Sequence, residues 1–519
     1  MILTTAINLI ALSQIAQPNR FEYEQKGFDD YFTVISLKEK GIALFKEMDK
    51  YKQGNQLWQV TYLDTLLKET AKLELEIKNS HKLIGYETSP DRLYFLFRAG
   101  ETTKNDILLI ELTLNGEEVK RSLIKTDLDF NLTHFVKTSD NFIFGGYVSN
   151  EAVILLFDPA SEAIKVIPGF FQKDTELVDL RTNQNETFNT LLIGRGARGD
   201  RKMIFRTFDA DGKQLLEDVV PIDDNIALQT GITSALERED LLVAGTWGDR
   251  NAKQSQGFYS VTIDPFQEQK IRYTDFGQLD HFVDYLSAKR AAKIKQHSRE
   301  NREEGKKPSF SSYVMPFRLV ENETGYFLLA EIYSQTGSSA MNYANPYYYN
   351  PLGYGMYPYS GGYYYPGMNR MYRPYSYGPT SKNTNDVKTL STVVLSFDDK
   401  GAIKWDESIT LDEINLPGLE QVGDFVIHNN KVFLVYKKES ELKIKSVTLD
   451  DGDEAATEII EPVSTGNEED DIRSEKELEG GVRHWFGNSF YVWGYQTIRN
   501  PSKQNKVRDV FYINRVDAF

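Results

Sequence analysis

Apolar and polar positions along most of this chain fall into short runs of five to seven residues, bounded by Asp, Asn, Gly and Pro. Phe142-Ile143-Phe144-Gly145-Gly146-Tyr147 is followed by Ala152–Phe157 and then by Ala163–Ile167, and Leu132–Val136 precedes them. Runs of this length, rich in aromatic and β-branched residues, predict strands rather than helices. Four such strands occupy about 50 residues. Comparable second strands are expected at Arg92–Phe97, Thr190–Ile193, Leu241–Ala244, Tyr326–Ala330, Val432–Tyr436 and Phe490–Trp493.

A punctuation mark repeats with the same period. An apolar residue, then Asp or Asn, then a short turn occurs at Asp64, Asn115, Asp158, Asp209, Asp264, Asp398, Asp450 and Asn514. The spacings run from 43 to 64 residues, apart from one of 134. Asp and Asn fit because their side chains accept hydrogen bonds from the turn that follows. Gly116, Gly212, Gly401 and Gly452 supply positive φ for a tight hairpin.

Four-stranded units at this period predict an all-β chain, a β-propeller of eight four-stranded blades. Seven blades with one irregular unit is the alternative. The last mark, Asn514, leaves too few residues for an outer strand, so Arg20–Gln25 is expected to fill that place and close the ring. Gly145-Gly146-Tyr147 resembles a kelch element, once. Asp398–Trp405 resembles the tryptophan-docking turn of quinoprotein propellers, also once. The Gly-His and Trp-Asp pair of WD40 repeats and the sialidase box are absent. The chain as a whole resembles exported bacterial β-propellers in general outline.

Residues 18–519 thus read as one domain with two insertions in the long gap. Residues 277–308 read as helix, because Leu279, Phe282, Val283 and Leu286 fall at helical spacing. Lys289–Lys307 carries nine basic or His side chains. It reads as a solvated face or as a docking arm for an acidic partner or a membrane surface. Residues 336–388 are rich in Tyr, Gly and Pro, and 13 of the 30 Tyr lie between Tyr343 and Tyr377. Tyr offers broad amphipathic contact at small entropic cost, and Met lets such a surface repack. The candidate binding residues are Tyr347, Tyr348, Tyr349, Tyr357, Tyr363, Tyr364, Tyr365, Arg370 and Arg373. In a meander of four strands, the connection entering a blade and the connection between its second and third strands emerge at the same end. Both insertions are therefore expected on one face.

Composition narrows the function. Net charge is −16 over 519 residues, which argues against general nucleic-acid binding. There is no Cys, so disulfides, thiolate metal sites, Cys nucleophiles and a lipoprotein anchor are excluded. Residues 1–17 read as a secretory signal: Ile2–Ala16 is apolar and too short to span a bilayer, with small-residue cleavage positions at Ala11-Leu12-Ser13 and at Ala16. Export follows, to the periplasm, the outer membrane or the cell surface. No later segment is apolar enough for a transmembrane helix, and peripheral membrane association stays open.

The search for chemistry gives little. His81, His134, His428 and His484 fall in predicted first strands without metal-ligand spacing, so they read as ordinary hydrogen-bonded side chains. Glu468-Glu469-Asp470-Asp471 reads as a solvated loop. No cofactor, no metal and no catalytic residue is assigned, and the sequence leans against an enzyme. The expected function is an exported binding or scaffold protein that engages a protein or glycan of the cell envelope through the face carrying both insertions. A propeller hydrolase or lyase, and a structural subunit of an envelope assembly, are the alternatives.

Overall fold

A computed structural model describes residues 15–25, 31–100, 104–170, 175–194, 201–236, 240–264, 266, 268–335, 387–416, 420–449, 456–476, 479–502 and 507–519. The chain is all-β, an eight-bladed β-propeller of four-stranded antiparallel blades. Blade 1 comprises Thr33–Ser36, Ile42–Lys52, Asn55–Leu63 and Glu69–Lys78. Blade 2 comprises His81–Thr88, Arg92–Ala99, Ile107–Thr113 and Glu118–Ile124. Blade 3 follows with Asn131–Lys137, Phe142–Val148, Glu151–Asp158 and Ala163–Ile167, and blade 4 with Thr175–Thr182, Phe188–Gly194, Lys202–Phe208 and Gln214–Pro221. In blade 5 the first strand is broken into Ile226–Leu228 and Ile232–Thr233, then come Leu241–Asp249, Gly257–Ile263 and Arg272–Asp275. Blade 6 is Tyr313–Asn322, Gly325–Gln335, Val387–Phe397 and Ile403–Leu416. Blade 7 is Asp424–His428, Lys431–Lys438, Glu441–Thr448 and Thr457–Pro462. The second strands fall where the apolar runs predict them, and the seven-bladed alternative is set aside.

The chain divides into two compact units, residues 1–42, 63–69 and 423–519 in one and residues 43–62 and 70–422 in the other. The first holds blades 7 and 8. Blade 8 has a broken first strand (Asp471–Glu475 and Gly481–Phe486), then Ser489–Arg499 and Val507–Ala518, and its fourth strand is Ile15–Glu24 from the start of the chain. The terminal pairing runs from Ile15 against Ala518 to Glu24 against Val510. It begins five residues earlier than the expected Arg20. Pro18 is accommodated at the irregularity between Ala16 and Asn19, on an outer strand where a missing N–H costs little.

A polar lattice fastens this strand. Arg20 donates to Asn514 Oδ1 (3.0 Å), to Gln496 Oε1 (2.9 Å) and to the Ser464 carbonyl (2.9 Å), and lies 4.3 Å from the centroid of the Tyr512 ring. Arg508 binds both Glu22 (3.0 Å) and Asp470 (2.6 Å). Asp470 also accepts from Asn500 Nδ2 (2.7 Å), and its side chain is 1% exposed. The acidic run at 468–471 is therefore not a wholly solvated loop: one of its carboxylates is buried because a guanidinium and an amide meet it. Nearby, Lys437 and Glu475 form a buried ion pair at 2.5 Å, and Glu475 also accepts from Ser440, Gln496 and Tyr512. Such a pair is tolerable away from water only because the remaining lone pairs are filled.

The second unit holds blades 2 to 6. Its turns follow a common plan. The Asp398 carboxylate accepts from Lys400 N (2.9 Å) and Ala402 N (2.8 Å), and Asp209 repeats this with Asp211 N (3.1 Å) and Lys213 N (2.8 Å). Three residues after each head the backbone enters the left-handed region, at Gly401 (φ 75°) and Gly212 (φ 78°). In blade 2 the head is Thr113, two residues before the expected Asn115, and its hydroxyl accepts from Glu117 N (3.1 Å). Asn514 is no turn head at all. It sits within the strand Val507–Ala518, whose outer neighbour is Ile15–Glu24. Asp450 lies outside the described residues.

Candidate binding surface on the sixth blade

The backbone of blade 6 determines where its connections emerge. Tyr313, the first residue of the first strand, pairs with Tyr333, and Gln335 at the end of the second strand pairs with Val387 at the start of the third. The connection arriving from blade 5 (276–312) and the connection between the second and third strands (336–386) thus meet the same end of this sheet. The tight turns, 322–325 and 398–402, occupy the opposite end. The rings of Tyr313 and Tyr333 stack at the shared end, with centroids 5.5 Å apart.

The arriving connection differs from its predicted form. Its helix, α1, spans Ala288–Glu303, and Leu279, Phe282 and Val283 precede it in irregular backbone. All three are buried. Phe282 stacks on Phe276 at 4.1 Å between centroids, and both meet Phe258 of blade 5 edge-on. The helical spacing of these apolar residues is thus realised as a plug. Asp406, on the outer strand of blade 6, explains why helix does not start earlier. Its carboxylate accepts from Asp280 N (2.7 Å) and His281 N (2.9 Å), and Ser408 Oγ donates to the His281 carbonyl (2.8 Å). These bonds hold the plug against the strand.

The same contact concentrates titratable groups. Burial pushes the Asp406 carboxyl up to about 6, against the pull of the two backbone N–H donors. Burial also works to lower the His281 imidazole. Its hydrogen bond to Asp284 (2.8 Å) and the neighbouring carboxylates of Glu407 and Asp406 outweigh that effect and raise it. Neither Asp406 nor His281 carries a motif, and only contact across 125 residues of sequence reveals them.

Helix α1 turns back from the plug and seats on residues 275–277. Ser298 Oγ donates to Asp275 Oδ1 (2.6 Å), and Gly277 N donates to the same oxygen (2.9 Å). A Cβ on Gly277 would stand 2.4 Å from Ser298 Cβ, so the close approach needs glycine. Ala291, Ile294 and Ser298 lie on the covered side, while Lys289, Arg290, Lys293, His297, Arg299 and Arg302 are exposed. The helix carries six Lys and Arg against two Glu, and no acidic residue occupies its first turn. Lys289 and Arg290 stand at the end where the helix dipole disfavours positive charge. Farther along, Lys307 pairs with Asp249 (2.5 Å).

The candidate residues Tyr347, Tyr348, Tyr349, Tyr357, Tyr363, Tyr364, Tyr365, Arg370 and Arg373 lie outside the described residues. The four first-strand His are in first strands of blades 2, 3, 7 and 8. His134 is buried, with Nδ1 2.8 Å from Thr133 Oγ1, and burial lowers it to about 4, so its ring is neutral at pH 7. Among the described residues, no three His, Asp or Glu side chains converge as a metal site. No helix among them is long and apolar enough to cross a membrane.

No protein-family model and no curated protein sequence matches the chain. Solved structures similar to it include the β-propeller domain of the Trilobed protease from Pyrococcus furiosus, at 12% identity and a TM-score of 0.34, covering 84% of this chain and 95% of that one. The Nup133 β-propeller domain of Vanderwaltozyma polyspora gives 8% identity and a TM-score of 0.36, covering 84% and 100%. An apocarotenoid oxygenase mutant from Synechocystis gives 9% identity and a TM-score of 0.30, covering 48% of this chain and 66%, just under two thirds, of the oxygenase. These likenesses concern fold alone. The fold defines a class, the β-propellers.

Proposed function

We propose that this is an exported β-propeller that binds a protein or glycan of the cell envelope through the end of blade 6 carrying both insertions. The observation that supports the reading most is the register of that blade: Tyr313, which follows the basic insertion, and Gln335 and Val387, which flank the Tyr-rich segment, lie at one end of one sheet. The helix adds to it. Six cations on a 16-residue helix, two of them against the dipole, are not what helix stability alone selects. A surface of that charge on a chain of net charge −16 favours an acidic or hydrogen-bonding partner. Tyr347, Tyr348, Tyr349, Tyr357, Tyr363, Tyr364 and Tyr365 contribute stacking area for a sugar ring or a side chain, and Arg370 and Arg373 its charge. Export rests on the apolar run Ile2–Ala16.

Removing residues 342–379 is expected to leave the blades folded and to abolish partner recovery when the tagged protein is purified from envelope fractions. Recovery of the same partner at the same yield by the shortened chain contradicts the proposal.

A further inference from the structure

From Ala288 to Arg299, helix α1 carries five Lys and Arg and no acidic residue. We infer that the exposed side of this stretch docks a short acidic segment of a partner protein. The inference rests on the binding reading above and gives the partner its chemistry.

The cations are gathered on a seated helix. Lys293 follows Lys289 by four residues and Arg290 by three, and His297 follows Lys293 by four, so these four side chains share one side of the helix. All four are exposed, as is Arg299. Lys295 is committed elsewhere, donating to the Asp280 carbonyl, and Lys306 and Lys307 pair with Glu304 and Asp249. Among the described residues, Lys289, Arg290, Lys293 and Arg299 have no ion-pair partner. Ser298 is bonded to Asp275 and packed closely on Gly277, and the plug ahead of the helix is bonded to Asp406. Charges held in place before the partner arrives leave less conformational entropy to lose on binding.

The extent of the array selects the partner. The exposed Asp284 stands before it, and Glu300, Glu303 and Glu304, all exposed, stand after it. The basic stretch rises about 18 Å, a length that about five or six residues of extended chain would cover. A longer polyanion, whether nucleic acid or acidic polysaccharide, would run past those carboxylates and over a chain of net charge −16. A lipid surface fits less well, because the exposed side offers no large apolar residue to enter the interface. The carboxylates of a short segment meet the ammonium and guanidinium groups alone, in charge-assisted hydrogen bonds.

The test titrates the full chain into a blocked, dye-labelled peptide of about six Glu and reads fluorescence anisotropy at about 50 mM salt. Binding is expected, and it is expected to weaken roughly tenfold at about 300 mM salt. The variant Lys289→Gln/Arg290→Gln/Lys293→Gln is expected to bind roughly tenfold more weakly. Its thermal midpoint is expected not to fall, because Lys289 and Arg290 oppose the helix dipole. Lys400→Gln, at the opposite end of the blade, is expected to bind as the unaltered chain does. Absence of binding, or equal binding by the triple variant, overturns the inference. So does tighter binding of a polyuronate, or of vesicles that are half phosphatidylglycerol. An envelope partner lost on removing residues 342–379 but recovered in full by the triple variant overturns this inference and leaves the reading above standing. A partner recovered in full by both variants overturns that reading, and this inference with it.

Discussion

Asp398 shows how one side chain sets a turn. Its carboxylate satisfies two backbone N–H groups, at Lys400 and Ala402, that would otherwise face water without a fixed partner. Asp398→Ala is expected to cost about 1 kcal/mol in a denaturant titration, as loss of a capping side chain commonly does, while Lys400→Ala in the same turn changes little. His134 acts through protonation. Its folded pKa, about 4, lies below the ordinary 6.5, so the unfolded chain binds the extra proton between those values. Stability contributed by this group is therefore complete above pH 6.5 and falls as pH drops towards 4. His134→Gln is expected to reduce the loss of stability between pH 7 and pH 5 by about 2 kcal/mol. An unchanged pH profile in the variant would mean that His134 titrates in the fold as it does in the unfolded chain. At this scale the sequence was readable where a side chain serves its own turn. It was opaque where the partner is remote: Asp406 holds His281 across 125 residues, and nothing in either local sequence announces it.

Strands were legible because their periodicity is local and recurs eight times. Helix α1 was displaced for a physical reason: Leu279, Phe282 and Val283 have helical spacing, yet buried aromatic stacking and the Asp406 bonds draw them into a plug, and helix begins only after Ser287. First-strand bulges also escaped the reading. Pairing slips by one residue between Leu132 and His134, Leu177 and Asp179, and Pro316 and Arg318, which re-aims the residue that follows. At Asp179 the result is a buried carboxylate that accepts from both the backbone and the hydroxyl of Thr233 in blade 5, at 2.8 and 2.7 Å. The terminal strand carries the clearest element-scale prediction. Arg508→Ala removes the guanidinium that meets both Asp470, whose side chain is buried, and Glu22. The expected cost is about 3 kcal/mol by denaturant titration, with part of it recovered in the double variant that also carries Asp470→Asn. A cost near zero would show that the ion pair does not hold the terminal strand in place.

For the whole molecule, the repeat period was enough to yield the class, eight four-stranded blades with both chain ends in the last one. Repetition does not encode a ligand. The blades share a turn plan and an apolar pattern, while the two long connections, 276–312 and 336–386, both lead into strands of blade 6. The first of these, the connection 276–312, is bound to the outer strand of its blade and presents α1 from a fixed seat. The second is known by its composition. The proposed function therefore stands on a juxtaposition that the strand register supplies and on a charge pattern that the fold itself does not require.

Cross-linking of intact cells through lysine tests that claim most directly. Lys289 and Lys293 on α1 are exposed at the insertion, and Lys400 is exposed at the tight-turn end of the same blade. The account predicts that links to other proteins concentrate on Lys289 and Lys293, and that they disappear when both are changed to Gln with the blades still folded. Links to other proteins that form as often from Lys400 as from the α1 lysines would contradict it.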